Sequence, residues 1–229
     1  LEASRDLEGV RLNFAPLWPD IDIDPDFSML ELEEQGSLYR LSGFFLSYFG
    51  TTKTLKNYQE RAKNVLSRAI EVFESLGDRF GQADSENVLG LCYIGEGALL
   101  EAELILEDSA LKLFRDRLHP VYLRNRINLI NALSKQNKYQ RCLEIIEEIC
   151  IPIEFCEDIK TCAIFHEKAG LIFRKVEQYD RAVWHYEESI RCATLLGNLL
   201  FISTEHNNLA FLYNRIGDFE KAHIQINES

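Results

Sequence analysis

The sequence predicts an all-α protein built from repeated pairs of antiparallel helices. Within the stretch Asn207–Ala222, Leu209, Ala210 and Tyr213 lie at helical spacing and so share one face. Gly217 then ends the first helix, because glycine readily takes the left-handed backbone of a helix end. The same pattern recurs every 40 residues. A single helix pair with this pattern has apolar residues on more than one side, so successive pairs must stack to bury them.

The pattern occurs four times with unchanged spacing. It consists of a large apolar residue followed by a small one, a bulky residue four positions after the first, and a second helix with its own apolar stripe. The large–small pairs are Leu89-Gly90, Leu129-Ile130, Ala169-Gly170 and Leu209-Ala210. The bulky residues are Tyr93, Leu133, Phe173 and Tyr213. Because Ile130 occupies a position that is small in the other copies, we expect looser helix packing there.

These residues resemble the tetratricopeptide repeat (TPR) family, in its longer 40-residue form. The resemblance rests on the pattern L-[GA]-x-x-[YF] followed by G-D-F-x-x-A; it covers residues 83–229 well and 37–82 partly. It implies a right-handed TPR superhelix of antiparallel helix pairs, longer than the common repeat of about 34 residues. The longer-repeat members include peptide-sensing regulators and the sensor solenoids of some large transcription activators.

We divide the chain into three parts. These are an irregular acidic N-terminal arm over 1–28, an aberrant first helix pair over 29–82, and four TPR-like helix pairs over 83–229, the last one truncated. Helices are predicted at 7–14, 29–49 and 58–76, then at 82–96 with 99–115, 121–136 with 139–150, 157–176 with 179–196, and 199–216 with 219–229. A loop is predicted at 50–57. We expect the chain to be a fragment of a longer protein.

The arm contains three prolines, which exclude a regular helix through most of it. Trp18 and Phe14 are its expected anchors. Its aspartates, with Glu31, approach the ligand spacing of a calcium loop, but Pro25 stands where that loop needs glycine. A solvated acidic linker and a segment that docks on a basic groove are the alternatives.

Composition excludes several classes of function. The formal net charge is −12, which argues against a nucleic-acid-binding face, and no apolar run is long enough to span a membrane. The six cysteines form no C-x-x-C pair, so we expect reduced thiols and a cytoplasmic protein without a metal site. No activated nucleophile, acid–base pair or phosphate loop is visible, so we expect no enzyme activity and no cofactor. His166 and His206 are expected to have structural roles.

The resemblance implies that a concave groove is lined by the first helix of each pair. Its expected peptide- or ligand-binding residues are Asn87, Arg124, Asn128, Asn131, Lys135, Lys168, Arg174, Lys175, Asn207, Asn208, Phe211, Asn214 and Arg215. Cations and amides in this number favour an acidic peptide or another carboxylate ligand. The pattern departs from the carboxylate clamp of chaperone-binding members, because Ile127 stands where the first lysine would be. Solvated helix faces are the alternative interpretation.

The sequence therefore predicts a protein–protein or peptide interaction module, as the sensor or scaffold fragment of a larger cytosolic regulatory protein. The alternative is a small-molecule sensor domain for an anionic effector, in a signalling or transcription regulator. The expected partner is a protein or peptide of unknown identity, with no nucleic acid and no membrane. We also expect self-association through the truncated C-terminal edge around Phe211, Phe219 and Ile226.

Overall fold

The computed structural model describes residues 16–52 and 57–229. The chain forms two compact units, Leu1–Arg115 and Asp116–Ser229. The described part of the first unit contains α1 (Leu32–Thr52), α2 (Tyr58–Leu76), α3 (Arg79–Glu96) and α4 (Leu99–Lys112). The second unit contains α5 (Pro120–Lys135), α6 (Tyr139–Glu154), α7 (Ile159–Lys175), α8 (Tyr179–Leu195), α9 (Leu199–Ile216) and α10 (Phe219–Glu228). Across these described ranges there is no strand, and no helix is long and apolar enough to cross a membrane.

The acidic arm packs on the first helix pair. Trp18 and Phe27 are buried in the core of the first unit, which confirms the Trp18 anchor. The Tyr58 hydroxyl donates to the Asp22 carboxylate. Arg61 Nε lies 2.7 Å from Asp24 Oδ1. Both groups belong to α2, so the arm's carboxylates bind there. The predicted helix at 7–14 and the Phe14 anchor lie outside the described residues.

These contacts bear on the calcium-loop interpretation of the arm. Asp22 and Asp24 already accept hydrogen bonds from α2. Throughout the described residues, no group of three or more His, Cys, Asp or Glu side chains could hold a metal ion. The structure therefore gives these carboxylates a role in docking the arm.

The first helix pair has the same packing as the later pairs but a longer connection. A Cβ on Gly43 would lie 2.4 Å from Leu66 Cγ, just as one on Gly90 would lie 2.8 Å from Leu106 Cγ. Leu66 follows Gly43 by 23 positions, whereas Leu106 follows Gly90 by 16. Three of these seven additional residues extend α1, which begins at Leu32 and continues to Thr52, into the predicted loop.

Turn geometry shows the 40-residue repeat in the backbone itself. Five residues at this spacing have left-handed φ angles: Asn57 (77°), Gly97 (81°), Asn137 (59°), Glu177 (62°) and Gly217 (84°). After four of the first helices, the residue that follows the left-handed one donates to a carbonyl five positions back, at 2.9–3.0 Å. This bond is the Schellman type of helix end.

Glu177 is the least suitable of these residues for its conformation, since a side chain with Cβ is strained at positive φ. We expect Glu177→Gly to raise the free energy of unfolding by about 1 kcal/mol, because glycine removes that strain. The pair between Glu177 and Arg215 that would be lost is more than half exposed on both sides, so it contributes little. Urea denaturation measures the change. The reciprocal variant Gly217→Glu should lower the free energy of unfolding by a similar amount. An unchanged or lower stability of Glu177→Gly would contradict this explanation.

In the second unit, residue size is matched between the helices of each pair. A Cβ on Gly170 would lie 2.8 Å from the ring of Tyr186, which is fully buried. In the preceding pair the equivalent residues are Ile130 and Ile146, 0% and 2% exposed. The backbones of α5 and α6 approach each other less closely than those of α7 and α8. This difference agrees with the looser packing expected at Ile130.

The end that the sequence predicts for the helix over 139–150 is wrong. Pro152 lies inside α6, which continues to Glu154. Proline here costs one intrahelical N–H bond in the last turn. Ile149 and Ile153, on either side of it, are 0% and 4% exposed, so apolar burial keeps this turn helical. Pro120, by contrast, is the first residue of α5, and the His119 side chain caps that helix.

Candidate functional site

The predicted groove residues fall into two groups. Asn87 lies in α3 of the first unit and is only 4% exposed, so its side chain is not presented to solvent. The other twelve lie in the second unit, on α5, α7 and α9, the first helices of three successive pairs. We call this second-unit surface the first-helix face; its residues are Arg124, Asn128, Asn131, Lys135, Lys168, Arg174, Lys175, Asn207, Asn208, Phe211, Asn214 and Arg215.

Residues at equivalent repeat positions have similar exposure on this face. Asn128, Lys168 and Asn208 are 40 residues apart and all half-buried. Lys135, Lys175 and Arg215 form a second such set and are all exposed. The spacing therefore produces rows of like-placed polar side chains that run from α5 through α7 to α9.

Two contacts connect the three helices. Arg124 Nη1 of α5 lies 3.5 Å from Asp158 Oδ2, and Asp158 caps the start of α7. The Arg174 guanidinium of α7 lies 4.8 Å from the centroid of the Phe211 ring of α9. Phe211 is 56% exposed, so this cation–π pair forms an accessible platform.

Several cations of the first-helix face are already paired. Lys168 Nζ lies 2.7 Å from Glu167 Oε1, and Arg215 Nη2 lies 3.2 Å from Glu177 Oε1. Lys135 and Lys175 are exposed and make no ion pair with any residue in the described ranges. The face is less strongly positive than the sequence suggests, and these two lysines are its most available charges.

A buried carboxyl group lies beneath the face. Glu205 of α9 is 0% exposed. Burial raises its pKa to about 8, and the nearby Glu167 carboxylate acts in the same direction. Glu205 is therefore largely protonated at neutral pH and adds little negative charge. Asn208 Nδ2 donates to Glu205 Oε1 over 3.5 Å.

Sequence reasoning missed Glu205, although a signal existed. Glu205 stands four positions before Leu209. The equivalent residues of the other three copies are Ser85, Asn125 and Phe165, which are all buried. A glutamate at a position that the repeat buries is a candidate for a strongly shifted pKa.

A second feature that the sequence did not reveal is a cavity of about 680 Å³ between α6, α7 and α8. Four of the six cysteines and two of the five histidines line it, which the linear spacing does not show because they are dispersed between residues 150 and 192. The histidines are His166 and His185, whose Nδ1 atoms lie 3.0 Å apart. His206, by contrast, contacts Gln225 Oε1 through Nδ1 at 2.8 Å.

The predicted apolar edge is present at the end of the second unit. Phe219 and Ile226 are 69% and 56% exposed, and with Phe211 they line a hollow of about 420 Å³. The repeat-equivalent residues of Ile226 are Tyr186, Ile146 and Leu106, which are 0–2% exposed. This edge therefore presents apolar surface that the earlier copies cover.

Comparison with solved structures identifies the fold. The structure of BtubC (BKLC) from P. vanneervenii matches with a TM-score of 0.70 at 18% identity, over 99% of this chain and 86% of that chain. The TPR-like repeats of a putative kinesin light chain from Podosopora anserina match with a TM-score of 0.61 at 17% identity, over 85% and 93%. The apo form of RapI matches with a TM-score of 0.51 at 14% identity, over 86% and 82%.

No family model matches the chain, and no curated protein matches it. At these identities the structural likeness concerns the fold. The predicted fold class, all-α with TPR-like helical repeats, is confirmed.

Proposed function

We propose that the protein is an interaction module that binds an extended acidic segment of a partner protein on the first-helix face. The observation that carries this proposal is the set of rows of amides and cations at equivalent positions of α5, α7 and α9. Because the rows repeat from helix to helix, they suit a ligand that is itself periodic, as an extended peptide is.

The side chains on this face match the groups of a peptide. Asn128, Asn131 and Asn214 can each donate to a backbone carbonyl and accept from a backbone N–H. Neighbouring packed helices lie about 8–10 Å apart, so three of them span roughly 20 Å, which is about six extended residues. Lys135 and Lys175 supply charges that are free to pair with carboxylates of the peptide.

The Arg174–Phe211 platform adds apolar contact. A guanidinium held over an exposed ring can bind a carboxylate through its edge while the ring packs against an aliphatic side chain. The protonated Glu205 supports this arrangement, since an ionised carboxylate beneath the face would repel an acidic ligand.

A pull-down from native cell extract, read by mass spectrometry, tests the proposal. We expect wild-type protein to retain an acidic partner, and Lys135→Glu/Lys175→Glu to reduce the retained amount at least tenfold through charge repulsion. Rising salt should weaken retention by the wild type. The matched control is Lys160→Glu/Lys221→Glu, which makes the same charge change outside the first-helix face. Equal retention by all three proteins would contradict the proposal.

An anionic small-molecule effector on the same face is the competing function. It would contact one or two helices, whereas a peptide would contact three. A role within a larger cytosolic regulatory protein and self-association through the Phe211, Phe219 and Ile226 edge both stay predictions.

A further inference from the structure

The cavity between α6, α7 and α8 lies apart from the first-helix face and has the size of a small-molecule site. Its volume of about 680 Å³ falls within the roughly 300–1,000 Å³ of typical ligand pockets. Ile146, Ile153 and Phe165 contribute apolar walls and are 1–4% exposed. A ligand with an apolar body could therefore replace water in it.

The polar feature of this cavity is the buried imidazole pair. His166 and His185 are 9% and 6% exposed, and burial lowers their pKa values to about 4 and about 3. Both rings are therefore neutral at physiological pH, so across the 3.0 Å contact the Nδ1–H of one ring donates to the Nδ1 of the other.

The tautomers follow from that contact. The ring that donates through Nδ1 has a bare Nε2 acceptor, and the ring that accepts has an Nε2–H donor. Neither Nε2 atom has a hydrogen-bond partner among the described residues, and both rings line the cavity. The pair thus offers an unused acceptor and an unused donor to a ligand.

The charges around the cavity are predominantly negative. Four carboxylates and two guanidiniums line it. Arg191 is bound to Glu188 at 2.6 and 2.9 Å, and Arg181 lies over the Phe173 ring at 3.9 Å. The other three carboxylates belong to Glu147, Glu154 and Asp180. All three are exposed, and none of them forms an ion pair in the described part of the chain.

The remaining walls favour a cation over an anion. Burial raises the pKa of the Cys162 thiol to about 12, so this thiol is neutral and polarisable. Trp184 is 53% exposed and meets His166 and His185 edge-on, at ring-centroid distances of 5.4 and 4.7 Å. An indole is the best aromatic surface for a cation.

We propose that the cavity lined by α6, α7 and α8 binds a protonated organic amine with an aromatic body. The aromatic body lies against the isoleucines and Phe165, and the ammonium group donates to the bare imidazole Nε2. Glu147, Glu154 and Asp180 supply the complementary charge, and Trp184 covers the cation. Nothing in this arrangement depends on the peptide proposed for the first-helix face.

A charge series of one fluorophore tests the assignment. The probes are dansylcadaverine, which carries an ammonium group, its hydroxyl analogue 5-(dansylamino)pentanol, and the carboxylate 6-(dansylamino)hexanoate. Binding is measured by dansyl anisotropy at pH 7. We expect the ammonium probe to bind at least tenfold more tightly than the carboxylate probe, with the neutral probe between them.

Two surface variants and a control complete the test. Glu154→Lys/Asp180→Lys should reverse the charge preference, and Trp184→Ala should weaken the ammonium probe at least threefold. Glu187→Lys, an exposed residue of α8 that does not line the cavity, should leave the preference unchanged. Equal binding of the three probes, no binding of the ammonium probe at millimolar concentration, or an unchanged preference in the double variant would overturn the proposal.

Discussion

Replacing Gly170 with isoleucine is expected to lower the free energy of unfolding of the second unit by about 3 kcal/mol. Even a Cβ at this position would lie 2.8 Å from Cδ1 and Cε1 of Tyr186. Tyr186 is fully buried, so its ring cannot move into solvent to relieve the overlap. The two helices must separate instead, and they lose contacts along their length.

A double-mutant cycle identifies this overlap as the cause. Gly170→Ile/Tyr186→Ile recreates the natural Ile130–Ile146 pair of the preceding copy. We expect the double variant to be more stable than the sum of the two single changes predicts, by at least 2 kcal/mol. Urea denaturation of the four proteins measures the coupling. Additive effects would show that size matching between these positions does not govern the packing of α7 on α8.

Replacing Glu205 with glutamine is expected to change the pH dependence of stability. The pKa of Glu205 is about 8 in the folded protein and about 4.5 when exposed, so between these values the folded state binds more protons. The stability that this group contributes is fully present below pH 4.5 and is lost as pH rises through 8. Glutamine does not titrate, so the variant lacks this loss. Its free energy of unfolding relative to wild type should therefore increase by on the order of 4 kcal/mol from pH 5 to pH 9.

The difference between the two proteins also isolates Glu205 from the histidines. Burial lowers the pKa values of His166 and His185, so their contribution to the free energy of unfolding rises with pH up to about 6.5. This contribution is the same in Glu205→Gln and in wild type, so it cancels in the difference. Glu187→Gln, a change at an exposed site, is the control. Chemical denaturation across the pH range would contradict the account if the difference between Glu205→Gln and wild type did not vary with pH.

The repeat could be predicted from sequence because every copy repeats its local signals. Gly97 and Gly217 mark helix ends through their backbone freedom, and the small residues at Gly90 and Gly170 mark close approach of two helices. Glu177 gives no such signal, although its φ is left-handed at the same turn position. Pro152 gives a misleading signal, because burial of the surrounding isoleucines outweighs one lost hydrogen bond.

The site was less predictable because charge depends on three-dimensional pairing. The sequence places Lys168 and Arg215 on one helix side, but their partners Glu167 and Glu177 become apparent only from side-chain positions. The protonation of Glu205 depends on its burial, which no linear pattern states. The cavity of His166 and His185 joins three helices, so its composition is dispersed along the sequence.

The central claim, that the first-helix face binds an extended partner segment, is tested most directly by side-chain amide NMR with a synthetic peptide from the protein captured in the pull-down. The account predicts that the side-chain amide signals of Asn128, Asn131 and Asn214 shift during the titration, while the Trp184 indole N–H signal stays in place. Shifts of the Trp184 signal with unchanged asparagine signals would place the partner on the second helices of the pairs, and this result would contradict the proposal.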